Sequence, residues 1–374
     1  MIDSSEFRQQ TAQRLESLAA QVPALTAFVG LDGFVDEILQ VVDKRYDANR
    51  YDRVPTITAY ARRMAAAAGQ STNIELVNVM TKLGGNGPIM GNALSRFGLN
   101  VTYVGSLGWP ALHPVFANFA QHADVNSISE PGLTDALEFE DGKLMLGKHY
   151  LLKHVTWENL QERYGRDKFA RQFQTASLVA FVNWTMLPYM SDIWASLQSE
   201  LMPAVTGPRR RLFVDLADPE KRLPADIASA LELIAKFQPK FDVILGLNEK
   251  EAYEIARVLG LDASPRDPEG LADLSLQIQA RVPVDTLVVH PTAFALAVSA
   301  GKADLVAGPI CRRPKITTGA GDHFNSGFCL GKLLGLDNAA SVLCGVSTSG
   351  HYVRTAESPT VANIVTLMRA WPEA

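Results

Sequence analysis

Cysteine is scarce in this chain: Cys311, Cys329 and Cys344 are the only three in 374 residues. They lack both the paired spacing of a zinc site and the density of a disulfide framework. Cys329 and Cys344 lie in apolar helical text, as buried thiols do. Excess positive charge is also missing. With 35 Lys and Arg against 40 Asp and Glu the formal charge is −5, so no polybasic surface is expected and nucleic acid is not an expected partner. No apolar run approaches membrane-spanning length, which argues against a membrane partner. Residues 1–20 carry Asp3, Glu6, Arg8, Arg14 and Glu16 without the apolar stretch of a signal peptide, so a cytoplasmic location is expected. Two common phosphate-binding signatures are absent as well. No GxGxxG follows the first strand-like run, and Gly327 with Gly331-Lys332 has the wrong spacing for a P-loop, with Leu333 where a hydroxyl is needed. Neither internal repeats nor low-complexity segments stand out.

The residues that are present, 47% hydrophobic and 20% charged, are those of a globular α/β chain long enough for one large domain with an appendage or for two domains. Ser4 to Ala20 reads as an amphipathic helix ending before Pro23, which makes residues 1–26 an N-terminal helical extension. From residue 27 to 374 buried strand-like runs alternate with helical text: Ala27–Gly30, Val101–Val104, Leu178–Asn183, Arg211–Asp215, Phe241–Leu245 and Thr286–His290. That rhythm predicts a doubly wound, mostly parallel sheet with helices on both faces. Three stretches break it: about 34–42, 74–83 and 133–149. The last holds Asp141-Gly142 between two alternating runs, a strong hairpin signal. These stretches are expected to form a small separate β-sheet. Its period-two alternation sets Leu137 and Phe139 on one face and Glu138 and Glu140 on the other. An apolar face on so small a sheet must be covered. A homodimer through this sheet is the favoured expectation, with Phe139 as an anchor, and the Ser4–Ala20 helix or the 43–70 segment is the alternative shield.

The chemistry concentrates in Thr317-Thr318-Gly319-Ala320-Gly321-Asp322, followed by apolar helical text. A helix starting there offers unpaired N–H groups and the positive end of its dipole to an anion, with a carboxylate beside it to take a proton. A glycine turn with an acidic first-turn residue is also ordinary at helix starts, so the rest of the chain must decide. In open α/β sheets ligands bind at the carboxyl ends of strands, where Asp32, Asp36, Asn183, Asp215, Asp218, Asn248, Glu251 and His290 recur. Each alone is more simply a turn or cap residue. Asn248 is a good N-cap, and Glu251 three residues on is either part of that cap or, through water, a holder of Mg²⁺.

The order of these motifs resembles the ribokinase or PfkB-type carbohydrate kinase family over most of Ala27 to Thr360. The likeness rests on the strand leading to Asp36, the pair Gly84-Gly85 before a helix ending Arg96-Phe97-Gly98, and the lid hairpin. It continues through Asp215–Pro219 with Arg222, Asn248-x-x-Glu251, and Gly319-Ala320-Gly321-Asp322. The resemblance implies a ribokinase-like fold with a β-sheet lid, and an ATP-dependent kinase using Mg²⁺ on a sugar or sugar-like hydroxyl. It makes Asp322 the general base, with Gly319, Ala320 and Gly321 as the anion hole. The sugar would meet Asp36, Asp32, Gly85, Asn86 and Asn183, and ATP would meet Asn248, His290, Thr292, Thr318, Gly319 and Gly321, with Glu251 near the metal. Departures are specific: Ile316 stands where an aspartate is usual, Ile89 where an asparagine is expected after the glycines, and His323 beside the carboxylate. Sugar recognition would then pass to Asn86 or Asn92, and Trp184 would stack on a ring or belong to the core. A nucleoside kinase of the same fold and a non-catalytic sugar- or nucleotide-binding protein are the alternatives.

Overall fold

The computed structural model describes residues 1–264 and 266–372. The strands are β1 (Thr26–Leu31), β2 (Phe34–Arg45), β3 (Tyr51–Arg53), β4 (Leu76–Gly84), β5 (Asn100–Gly105), β6 (Asp124–Ser127) and β7 (Gly132–Phe139). They continue with β8 (Gly142–Lys148), β9 (Leu178–Val182), β10 (Arg210–Asp215), β11 (Phe241–Leu247), β12 (Thr286–Val289), β13 (Phe294–Ser299) and β14 (Lys302–Ala307). Nine of them form one sheet in the order β14-β13-β12-β11-β10-β9-β1-β5-β6. Pairing is parallel from β12 to β6 and antiparallel for the β13–β14 edge hairpin. The doubly wound sheet expected from the strand–helix rhythm is therefore present. The edge hairpin and the short β3 were not read from sequence, and β4 starts two residues after Ile74.

Burial explains why the central runs are apolar throughout. In β9 all five residues are buried, and successive side chains enter opposite cores: Val179 and Phe181 join Phe169, Phe173 and Trp194, while Leu178, Ala180 and Val182 join Phe213, Phe328 and Leu343. A strand covered on both faces cannot alternate with polar residues. The N-terminal helix (Ser5–Leu18) is capped by the Ser4 hydroxyl and buries Ala12 and Leu15. It docks on the last helix (Val361–Arg369), where Arg369 pairs with Glu16 at 2.6 Å. It is thus part of the main body and does not shield the small sheet. Among the described residues no helix is long and apolar enough to cross a membrane.

The small sheet has the order β3-β2-β7-β8, with β4 on the other side of β2. Only Asp32 and Gly33 separate β1 from β2, so the lid rises directly from the carboxyl edge of the main sheet. One lid face packs Leu39, Val41, Leu137 and Phe139 against Val54 and Tyr60, with the Tyr60 and Phe139 rings 5.5 Å apart. Tyr60 belongs to the Ile57–Ala66 helix, capped by Thr56. The 43–70 segment therefore covers the Leu137–Phe139 face from within the chain. Phe139 is 8% exposed and is not an anchor for a second subunit, contrary to the favoured expectation.

Candidate active site

The helix Ala320–Leu333 starts at Gly319, whose φ of +91° is left-handed and suits glycine. A Cβ there would also press on Ile89 at 3.2 Å. Thr317 accepts from the Ala320 N–H at 3.1 Å, closing the turn. That bond removes Ala320 from the expected set of anion donors, because its N–H is already spoken for. Gly321 and Asp322 are in the first helical turn, whose N–H groups have no intrahelical acceptor, and the helix dipole adds positive potential there. Asp322 is 8% exposed and accepts from Asn86 Nδ2 at 3.0 Å. Burial holds its carboxyl well above the usual range, helped by the negative charges of Asp215, Asp32 and Glu251, with the Asn86 bond pulling the other way.

Asn86 is placed by a buried hub. Asp32, fully buried, accepts the N–H groups of Asn86 and Gly87 at 3.0 and 2.9 Å and Asn183 Nδ2 at 2.7 Å, and Tyr103 donates to its carbonyl at 2.6 Å. A Cβ on Gly87 would collide with the Asp32 carboxylate and the Tyr103 hydroxyl, so the Asn86–Phe97 helix can begin here only on glycine. This corrects the expectation that Asp32 touches substrate. Its carboxylate is committed to the fold and does not line a cavity; what it does is aim Asn86 at Asp322.

Two cavities meet at the 317–322 turn. The first, about 460 Å³, lies under the lid and is lined by Asp36, Gly85, Asn86, Asn183, Asn248, Glu251, Thr318, Gly319 and Asp322. The second, about 310 Å³, is lined by His290, Thr292, Pro309, Thr317, Ala320, Gly321 and Phe324. Thr318, Gly319 and Asp322 thus face the lid cavity and Thr317, Ala320 and Gly321 the other, so Thr318, Gly319 and Asn248, expected with His290 and Thr292, belong to the lid side instead. His290 packs on Phe324 with ring centres 4.9 Å apart, and burial pulls its pKa down to about 4, so the ring is neutral. Sequence reading missed Phe34, Thr134, Met145, His149, Met186 and Lys221, which also line the lid cavity. Thr134 and Met145 were within reach of period-two alternation, since they share the Asp36 face of the sheet. His149 and Lys221 carry no local signal.

Other candidates fall outside the lid cavity. Asn92 bonds Ser358 at 3.2 Å on the far side of its helix. Trp184 is a core residue, its Nε1 donating to Ser191 at 2.8 Å and Arg222 lying over its ring. Arg222 donates to the carbonyls of Thr185, Trp184 and Leu187, bracing that turn.

Glu251 completes a capping box: Oε2 accepts from the Asn248 N–H at 2.8 Å and Oε1 from the Asp218 N–H at 2.7 Å. Burial, with Asp215 close by, pushes its pKa up to about 8, and Asp215 itself up to about 6. Glu251, Asp215, Asp32 and Asp322 thus form a cluster of buried carboxyl groups whose ionised forms a divalent cation would stabilise. Because both Glu251 oxygens already accept backbone bonds, such an ion fits as a water-bridged neighbour. Asp218, Glu220 and Glu254 approach each other closely enough to share an ion, but Lys250 occupies the middle of that group, 2.9 Å from Asp218 and in contact with Glu220.

The prokaryotic ketohexokinase family model matches residues 3–371. The chain belongs to this family. A ketohexokinase of Haloferax volcanii is 31% identical over 347 residues, 92% of this chain and 91% of the relative. Among solved structures, ribokinase of Thermotoga maritima superposes with a TM-score of 0.60 at 12% identity, covering 92% of this chain and 99% of that one. Phosphofructokinase-2 of Escherichia coli gives a TM-score of 0.60 at 12% identity, covering 93% and 99%. These two share the ribokinase-like fold. As a member of the family, the chain is a carbohydrate kinase that phosphorylates a hydroxyl group.

Proposed function

We propose that the chain transfers the γ-phosphoryl group of ATP to a hydroxyl of a ketohexose. The observation that carries this reading is the 317–322 turn between two cavities, with Asp322 on the lid side and Gly321 on the His290 side. The nucleotide base would lie against His290 and Thr292, and the sugar under the lid against Asp36, Asn86 and Asn183. Asp322 takes the proton of the attacking hydroxyl as its oxygen bonds to the γ-phosphorus. The bond from that phosphorus to the β,γ-bridging oxygen breaks, and ADP leaves. The N–H groups of Gly319, Gly321 and Asp322 stabilise the charge spread over the transferred group. Asn86 holds the Asp322 carboxylate in line, and Asp32 is a positioning residue behind it. Mg²⁺ near Glu251 would neutralise phosphate charge when bound.

Family membership and the similarity to the Haloferax ketohexokinase favour a ketohexose over a nucleoside. The test is ATP consumption and product analysis with D-fructose, aldoses and nucleosides. Turnover confined to ketohexoses is expected. Preferred turnover of a nucleoside, or sugar binding without any turnover, would replace this reading by one of its alternatives. A homodimer through the lid is also proposed, its contact using Met80 and Met145, which are exposed and aligned on one face through Ile38 and Ala136.

A further inference from the structure

The residue after the general base is a buried histidine, and its ring reaches back to the turn that precedes it. His323 Nδ1 lies 2.7 Å from the Gly319 carbonyl oxygen, and its Nε2 lies 2.8 Å from Ser358 Oγ. A carbonyl only accepts, so Nδ1 carries the proton. Ser358 therefore donates to Nε2 and itself accepts from Asn92 Nδ2 at 3.2 Å. The imidazole stacks on Tyr352 with ring centres 3.6 Å apart and planes 12° apart, and the Tyr352 hydroxyl donates to the Thr318 carbonyl at 3.0 Å. Two adjacent carbonyls of the turn are thus held by two stacked side chains. Neither His323 nor Tyr352 lines the lid cavity or the His290 cavity, so neither can touch the reacting atoms there.

We propose that His323 and Tyr352 are positioning residues for phosphoryl transfer, which hold the Thr318 and Gly319 carbonyls and so aim the anion-binding N–H groups of the turn. The link is peptide planarity. A trans peptide points its C=O and N–H in opposite directions, so fixing the Thr318 oxygen fixes where the Gly319 N–H points. The Gly319 oxygen, held by Nδ1 and by the His323 N–H at 3.1 Å, locks the left-handed glycine that starts the helix. Pre-set donors are what make such a turn effective, because reorienting them during reaction costs energy. This inference rests on the proposed role of the turn as anion hole.

The test compares single variants in steady-state kinetics with ATP and D-fructose, with melting temperature measured for each. His323→Phe keeps the ring stack and loses both hydrogen bonds. His323→Asn keeps a donor near the Nδ1 position, and Tyr352→Phe removes one hydroxyl. Expected results are kcat lowered roughly tenfold in His323→Phe, a fraction of the cost of deleting an oxyanion donor outright. A smaller loss is expected in Tyr352→Phe, with KM for both substrates within about twofold, and substantial recovery in His323→Asn, because uniform binding is untouched. Wild-type kcat in Tyr352→Phe together with His323→Phe, or no recovery in a stable His323→Asn, overturns the proposal. If His323→Phe does not fold, Tyr352→Phe and His323→Asn decide. Asp322→Asn runs in parallel. If it retains turnover, the reading of the turn itself is wrong; if it loses turnover while the positioning variants keep it, only this inference fails.

Discussion

The nine-stranded sheet and the lid sheet rise from the same segment, two residues apart, yet they are built on different terms. The large sheet is packed on both faces and ends in a row of buried polar side chains: Asp32, Asn183 and Asp215. The lid is packed on one face by the Ile57–Ala66 helix, while its other strands leave Val79, Met80, Met145 and Leu146 exposed. A densely packed edge holds reacting groups to a fraction of an ångström, whereas a lightly packed sheet can open and close at low cost. Under the proposed function, the chemistry would fall to the large sheet and acceptor capture to the lid.

The largest effect should come from the large-sheet side. Asp322→Asn is expected to lower kcat by about 10²–10⁴-fold, the usual contribution of a general base, while leaving ADP binding intact by calorimetry. Near-normal turnover would break the division outright. The pH dependence sharpens it. Burial raises the Asp322 pKa, so its carboxylate form is lost while the pH is still above the ordinary carboxylate range. The acid limb of kcat/KM should therefore lie above pH ~4. A limb at or below ordinary carboxylate values would show that Asp322 is not the titrating base.

A smaller effect is expected from the lid. Phe139→Ala leaves a cavity against Tyr60 and should destabilise the small sheet by about 3–5 kcal/mol or less. Read as chemistry, the fructose KM rises severalfold while the ATP KM changes little, and hydrogen exchange quickens in β2 and β7. An equal rise in both constants would mean the two sheets are not independent. Met80→Lys should abolish a lid-mediated dimer in sedimentation without changing the melting temperature much. A wild-type monomer, or a Met80→Lys dimer, removes that contact. The smallest effect concerns potassium: Ile316 offers no side-chain oxygen, so K⁺ should stimulate little beyond a large organic cation at equal ionic strength. Saturable activation would show that backbone carbonyls suffice.

Much of the large sheet was legible because its strands are apolar on both faces and short, a signal each run carries by itself. The β13–β14 hairpin escaped, although Ala300-Gly301 sits between two strand-like runs, because its loop lacks the stronger Asn-Gly or Asp-Gly signal. At the site, Asp322 and the glycines around it were legible as a helix start. The role of Asp32 was not, since strand-end position alone does not distinguish a carboxylate facing a cavity from one saturated by Asn86, Gly87 and Asn183. The Phe139 face is legible as apolar, and its cover is the 43–70 segment, the alternative to the favoured second subunit.

The sequence by itself determined what neighbours along the chain decide: the strand–helix rhythm, the hairpin at Asp141-Gly142, the capped helix at Asn248 and the glycine turn before Asp322. These depend on backbone conformation and on periods of a few residues. Only the tertiary structure decided which cavity each residue of the turn faces, that Asn86 reaches Asp322 across 236 positions, and that His323 and Tyr352 grip the turn from behind. Burial, hydrogen-bond saturation and shifted pKa values arise from groups brought together by packing. No local pattern records them, because each residue's own neighbours in the chain are not the ones that set its chemistry.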